Sequence, residues 1–217
     1  MKKVIITLTI LAATAGMAIA QPSIDAGYLF SMNKEMIGSN VIDAAAQGFF
    51  AGASYTCNIA NGLDVNTGLY YNYLTSSDSD SANIIGDISG SYDLRLNEHY
   101  ISLPVNLRFG TFIGNGIKVF AFAGPSLSYC VSSTTKYNAS INLPVIGNIG
   151  KEDTINNFEL DEDYKPFDVL VGGGLGTEIQ GLIRIQAGYR YGLLDRDGGE
   201  NSSLHRSEIF AGVSYIF

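Results

Sequence analysis

From about residue 22 to the last residue, apolar and polar side chains alternate with period two in eight segments. They lie near 22–31, 47–58, 62–75, 96–111, 116–131, 166–180, 182–195 and 205–217. Period two is the mark of a β-strand with one apolar face. Each segment is about as long as the roughly 9–11 residues that a tilted membrane strand requires. No long segment of helical period competes with them. The faces sort cleanly. In the last segment Ile209, Ala211, Val213, Tyr215 and Phe217 oppose Glu208, Phe210, Gly212 and Ser214. In the fourth, Ile101, Leu103, Val105, Leu107 and Phe109 oppose Ser102, Pro104, Asn106 and Arg108.

The connections alternate in length. Ile59–Gly62, the piece around Ile113–Gly116, and Gln180-Gly181 are short and carry the Gly and Asn that tight turns need. The other connections, 32–46, 76–95, 132–165 and 196–204, are long. Short turns at one end and long loops at the other are the layout of an outer-membrane barrel. The expected fold is therefore all-β, an eight-stranded antiparallel up-and-down transmembrane β-barrel. With an even number of strands, both termini fall on the periplasmic side.

Before the first strand, Met1-Lys2-Lys3 is a short positive region, and Val4–Met17 is apolar. Ala18-Ile19-Ala20 then places small residues where a signal peptidase cuts. The expected organisation is a cleaved signal peptide over 1–20 and a barrel over 21–217. No Cys follows the apolar stretch, so a lipid anchor is not indicated. The protein is expected in the cell outer membrane, as an integral protein.

A soluble eight-stranded carrier barrel has the same alternation with its apolar face inward. Two features favour the membrane arrangement. Gly27, Gly52, Gly68, Gly172, Gly174, Gly176, Gly188 and Gly212 all lie on the polar face. Glycine weakens a water-facing strand and gains nothing there, whereas a narrow lumen needs small residues beside large ones. The chain also ends on Phe217, two residues after Tyr215, in the manner of barrels read by the outer-membrane assembly machinery. Aromatics should then gather at the two bilayer interfaces. Tyr28, Phe30, Tyr71, Tyr73, Tyr129, Phe167 and Tyr191 are assigned to the loop side. Phe109, Tyr215 and Phe217 are assigned to the other.

Composition agrees. Charged residues are 16% of the chain, below the roughly 25% of soluble domains. The net charge of −8 becomes −10 without Lys2 and Lys3, which excludes nucleic acid as a partner.

Charged strand residues must then line the lumen. Strand direction places Asp25, Asp64, Arg108, Lys118, Glu178 and Arg184 near the periplasmic end, and Glu98, Asp168, Arg190 and Glu208 toward the loop end. Buried charges persist when paired. Glu178 and Arg184 flank the Gln180-Gly181 turn and face the same side. Residues that oppose each other across a hairpin on one face have an even index sum. A three-residue turn, Gln180-Gly181-Leu182, satisfies this and puts Glu178 opposite Arg184, so a lumen salt bridge is expected. The cluster is expected to be a structural plug and not an ion path, because eight strands leave no open channel.

Four stretches resemble the PorT-like outer-membrane β-barrel family: Leu96–Phe109 (LNEHYISLPVNLRF), Val171–Ile179 (VGGGLGTEI), Arg190–Asp195 (RYGLLD) and Phe210–Phe217 (FAGVSYIF). Their order and spacing are similar to that family over the whole mature chain. The resemblance implies the architecture and no catalytic motif. Some members assist secretion across the outer membrane, and most have no assigned role. Pro104 cannot donate to a ladder; the family accepts proline there, and a local bulge is expected.

Candidate chemistry is sparse. A lipid-modifying enzyme could draw on Ser203, His205 and Glu208, or on Glu98, His99 and Ser102, but neither trio matches a known motif. Asp195–Glu200 lacks the spacing of a calcium loop, and Glu159–Asp163 is read as a solvated acidic run. Gly172-Gly173-Gly174 lacks the Gly-Lys-Ser/Thr of a phosphate loop. Cys57 and Cys130 fall at opposite rims, so two free, membrane-facing or rim thiols are expected. The expected function is non-enzymatic, without cofactor or metal. Lipopolysaccharide and outer-membrane lipid are expected as surroundings, and loop 132–165 is available to a protein partner. The alternatives are an outer-membrane lipid enzyme and a soluble ligand carrier.

Overall fold

The computed structural model describes residues 20–37, 40–85, 88–143, 147–160, 165–196 and 202–217. Residues 1–19, where the signal peptide is expected, lie outside these. So do most of the acidic run and residues 197–200 of the Asp195–Glu200 segment.

Among the described residues nine strands are present: β1 (Ala20–Ile37), β2 (Asn40–Ala60), β3 (Leu63–Ile85), β4 (Ile88–Phe112), β5 (Ile117–Leu143), β6 (Gly147–Asn156), β7 (Phe167–Ile179), β8 (Ile183–Gly192) and β9 (Ser202–Ile216). One short helix, α1 (Asn157–Leu160), follows β6. Eight strands form the ring, in the order β4-β3-β2-β1-β9-β8-β7-β5, and β4 pairs with β5 to close it. The first and last strands meet from Ser23–Ile216 to Ile37–Ser202. All pairings are antiparallel. This is the eight-stranded barrel that the alternation implied.

The loop end differs from expectation. The segments 32–46 and 76–95 are largely strand, not loop. β3 and β4 stay paired up to Ile85–Ile88, and β1 and β2 up to Ile37–Asn40. In 132–165, β5 runs on to Leu143 and folds back as β6, a ninth strand outside the ring. Above the bilayer no hydrocarbon selects an apolar face, so serines and aspartates replace the alternation while the ladder continues.

The short turns follow their glycines. Gly62 closes the β2–β3 turn at φ 79°, and Gly114 (67°) and Gly116 (87°) shape the β4–β5 turn. Between β7 and β8 the turn is three residues, with Gln180 (53°) and Gly181 (68°) left-handed and Ile179 paired to Ile183. Pro104 makes no bulge, contrary to expectation. The register is unchanged from Thr67–Val105 to Tyr70–Ser102. The ladder simply skips the residues between, so a missing N–H is accommodated without adding a residue.

The apolar face points outward. Leu175, Val213, Leu107 and Ile185 are about half exposed or more, as are Tyr28, Tyr129 and Tyr215. Those aromatics fill no central cavity, which removes the carrier arrangement. The interior holds a second, buried aromatic set: Phe50, Tyr70, Phe120, Phe122 and Phe210. Ring centroids stand 5.8 Å apart for Phe50–Tyr70, 6.4 Å for Phe50–Phe210 and 6.1 Å for Phe122–Phe210. The inward glycines make room for these rings. A Cβ on Gly212 would come within 2.5 Å of the Phe50 ring and 2.9 Å of the Ala26 carbonyl oxygen.

Cys130 corrects the expectation for the thiols. Both cysteines are free, and Cys57 is part-exposed on the outer face. Cys130, however, is buried inside, with its thiol 3.4 Å from the Ser132 carbonyl oxygen. It keeps the inward phase of Ser126 and Ser128; the register shift between His99 and Tyr100 falls just beyond it and changes the face of the residues that follow, so that Ser133 is buried.

Gly212→Ala should lower stability by about 1–3 kcal/mol through overpacking, read by urea unfolding of the refolded barrel. Adding Phe50→Leu should recover part of that loss; no recovery would show that the ring is not what the glycine accommodates.

Candidate functional site

The interior is built in three layers. At the periplasmic end, alternation aims Asp25 (β1), Thr56 (β2), Asp64 (β3), Arg108 (β4), Lys118 (β5), Glu178 (β7) and Arg184 (β8) inward. The structure brings together all six charged residues assigned to this end. Glu178 and Arg184 are register partners, with Nε 2.9 Å from Oε1. Arg108 Nη2 donates to the same Glu178 oxygen. Thr56 Oγ1 accepts from Arg184 Nη2 at 2.9 Å and from Arg108 Nη1 at 3.2 Å. Lys118 Nζ reaches Asp64 Oδ2 at 2.5 Å, and Asn58 donates to the other Asp64 oxygen at 2.8 Å. Asp25 lies 4.0 Å from Arg184 and accepts from Tyr70 at 3.2 Å. Three acids and three bases thus neutralise one another in a largely buried layer, where an isolated charge would be costly.

The aromatic layer sits above it, and arginines clamp it from both sides. The Arg108 guanidinium lies 3.9 Å from the Phe120 ring centre, and that of Arg190 lies 4.1 Å from Phe210. Desolvated arginine–ring contacts of this kind contribute on the order of 2 kcal/mol.

The loop-end layer contains Glu98, Asp168, Arg190 and Glu208, as the strand directions required. Arg206 lies 3.3 Å from Glu208, and Arg190 lies 3.9 Å from it. Arg206 also donates to Ser128 at 3.0 Å and lies over the Tyr100 ring at 4.1 Å. Arg196 enters from the β8–β9 connection, fully buried, 3.9 Å from Glu98. Arg206 was legible in principle, since it shares the parity of Glu208. Arg196 was not, because it lies beyond the alternating segment. Among the lumen residues, Asp168 is buried with no hydrogen bond to its carboxylate among the described residues.

Little space remains. Between the charged layers is a cavity of about 20 Å³, lined by Tyr70, Asn72, Ser102, Asn106, Gln186 and Arg190 among others. That is room for about one water. A wider recess of about 360 Å³ opens at the periplasmic mouth beside Asp64 and Lys118.

Neither candidate catalytic trio is assembled. Glu98 is buried inward, whereas its neighbour His99 faces out and contacts Tyr71 Oη at 2.5 Å. His205 stacks on outward Tyr191, with centroids 5.9 Å apart, and Glu208 points inward. Strand residues an odd number of positions apart face opposite sides, so neither Glu98 and His99 nor His205 and Glu208 can converge. Among the described residues, no group of three or more His, Cys, Asp or Glu side chains is arranged to hold a metal.

A closed β-ring with lipid-facing apolar residues and a filled polar interior defines an integral outer-membrane β-barrel. The chain belongs to the Outer membrane protein beta-barrel domain family, which it matches over residues 20–197. No curated protein matches the sequence. Among solved structures, it is similar to Ail, the attachment invasion locus protein of Yersinia pestis. That match has 16% identity and a TM-score of 0.43, covering 91% of this chain and 99% of Ail. Neisserial surface protein A matches at 15% identity and TM-score 0.39, covering 89% and 97%. The outer membrane protease OmpT of Escherichia coli matches at 11% identity and TM-score 0.36, covering 91% and 96%. No residue role is carried over from any of them.

Glu178→Gln should cost about 3–5 kcal/mol, because it leaves Arg108 and Arg184 buried without their shared anion. Lys118→Met, at the wetter mouth, should cost far less. Equilibrium unfolding in detergent compares the two, and equal losses would deny the shared carboxylate its role.

Proposed function

We propose that this protein is a non-enzymatic, closed outer-membrane barrel of the PorT-like kind. It is exported through a signal peptide cleaved before Gln21 and assembled through the C-terminal strand ending in Phe217. It works at its extracellular rim, presenting the β3–β4 and β5–β6 hairpins, the latter within 132–165, to lipopolysaccharide or a protein partner. It uses no cofactor. The lumen charges, Asp25, Asp64, Arg108, Lys118, Glu178 and Arg184, are structural.

One observation carries this reading: salt-bridged layers and a stack of rings occupy the interior, and the cavity between the charged layers has room for about one water. A transport path would need connected water, and an enzyme would need convergent groups. The outward histidines and inward acids argue against the lipid-enzyme alternative.

Reconstituted into planar bilayers at neutral pH, the protein should give no discrete conductance steps. Sustained single-channel currents would overturn the plug reading.

A further inference from the structure

Gln47–Thr75 is the last β2–β3 pair, yet both strands continue, β2 with β1 and β3 with β4. The wall therefore forks. The fork holds a groove of about 590 Å³, lined by Phe30, Ala45, Tyr73, Asn97, Arg95 and Lys136 among others. Arg95 and Lys136 are direct cross-strand partners, and both are exposed. Neither forms an ion pair among the described residues. Two like charges set opposite each other in a sheet are destabilising, and the chain is acidic overall, at −8. A facing pair of cations in such a protein is a site awaiting an anion.

Height and chemistry identify that anion. Arg95 is four residues beyond His99, which packs on Tyr71 and Tyr73 with centroids at 5.9 and 5.2 Å. These outward rings mark the interface. Four residues span about 14 Å along a strand, or about 10 Å vertically at the usual tilt of about 40°. The cations thus stand at headgroup depth, above the apolar lower wall made by Phe30 and Tyr73. An amphipathic anion fits: acyl chains below, phosphate above. On the loop side of an outer-membrane barrel, that lipid is lipopolysaccharide.

We infer that the β2–β3 fork is a binding site for the phosphorylated lipid A headgroup of lipopolysaccharide, with Arg95 and Lys136 sharing a phosphate. The site rests on the outer-membrane reading above and assigns a partner to its rim.

Native mass spectrometry of the full barrel in detergent tests this, with bisphosphorylated lipid A, its dephosphorylated form and phosphatidylglycerol as probes. Bisphosphorylated lipid A should be retained at least about fivefold better than the other two. The preference should vanish in the R95Q/K136Q double variant and persist in Lys151→Gln. Equal retention of all three probes by the wild type, or an unchanged preference in the double variant, would overturn the assignment. Equal retention of phosphatidylglycerol and lipid A, with the dephosphorylated form excluded, would make the occupant a phospholipid and overturn lipid A. Heat-modifiable gel mobility, run on each variant, reports folding. A protein that shifts mobility without discriminating probes fails this site alone, whereas one that never shifts fails the barrel reading itself.

Discussion

Inside a bilayer a peptide N–H or C=O has no water to bond, and each one left unpaired costs several kcal/mol. Closing the sheet removes that cost by giving every strand two neighbours. β1 against β9 and β4 against β5 complete this ring. Much else follows from closure. The outer face must be apolar, and the inner face of a narrow ring must be filled without water. Where the hydrocarbon ends, the ring is free to open, as it does between β2 and β3 above Gln47–Thr75.

Filling is the harder requirement. Aromatic rings occupy most of the middle, and glycines on the facing strands make room for them, as Gly212 does for Phe50. Charges close the two ends, each tied into a network and not into a single pair. Glu178 serves two arginines, Thr56 accepts from the same two, and Arg108 continues onto the Phe120 ring. Removing Glu178 strands both arginines, so these groups act as a unit. On the proposed reading this packed interior is structural, and the rim is where the protein meets its surroundings.

The alternation made the barrel legible because lipid imposes it residue by residue on one face. The lower charge layer was legible for the same reason. Parity and strand direction place Asp25, Asp64, Arg108, Lys118, Glu178 and Arg184 at one height, and the turn length then matches Glu178 to Arg184. The pattern failed where its physical cause ended. Above the membrane neither face is greasy, so the extensions of β3, β4 and β5 read as loops and β6 went unseen. Arg196 plugs the mouth from an irregular connection that has no period. Cys130 shares the parity of inward Ser126 and Ser128, so the alternation itself placed it inside; the expectation followed its height at the rim and not its face. The inner rings were visible as the odd apolar residues on the polar face, Phe50 and Phe210. Only the geometry of the glycines explains why they are tolerated there.

The most direct test is the environment of alternate residues along β9. Single nitroxide labels at each position from Ser207 to Tyr215, in the barrel reconstituted into bilayers, report access to lipid-soluble oxygen by electron paramagnetic resonance. The account predicts strict alternation, with maxima at Ile209, Ala211, Val213 and Tyr215 and little access at Glu208, Phe210, Gly212 and Ser214. The opposite phase, or a uniform profile, would contradict it.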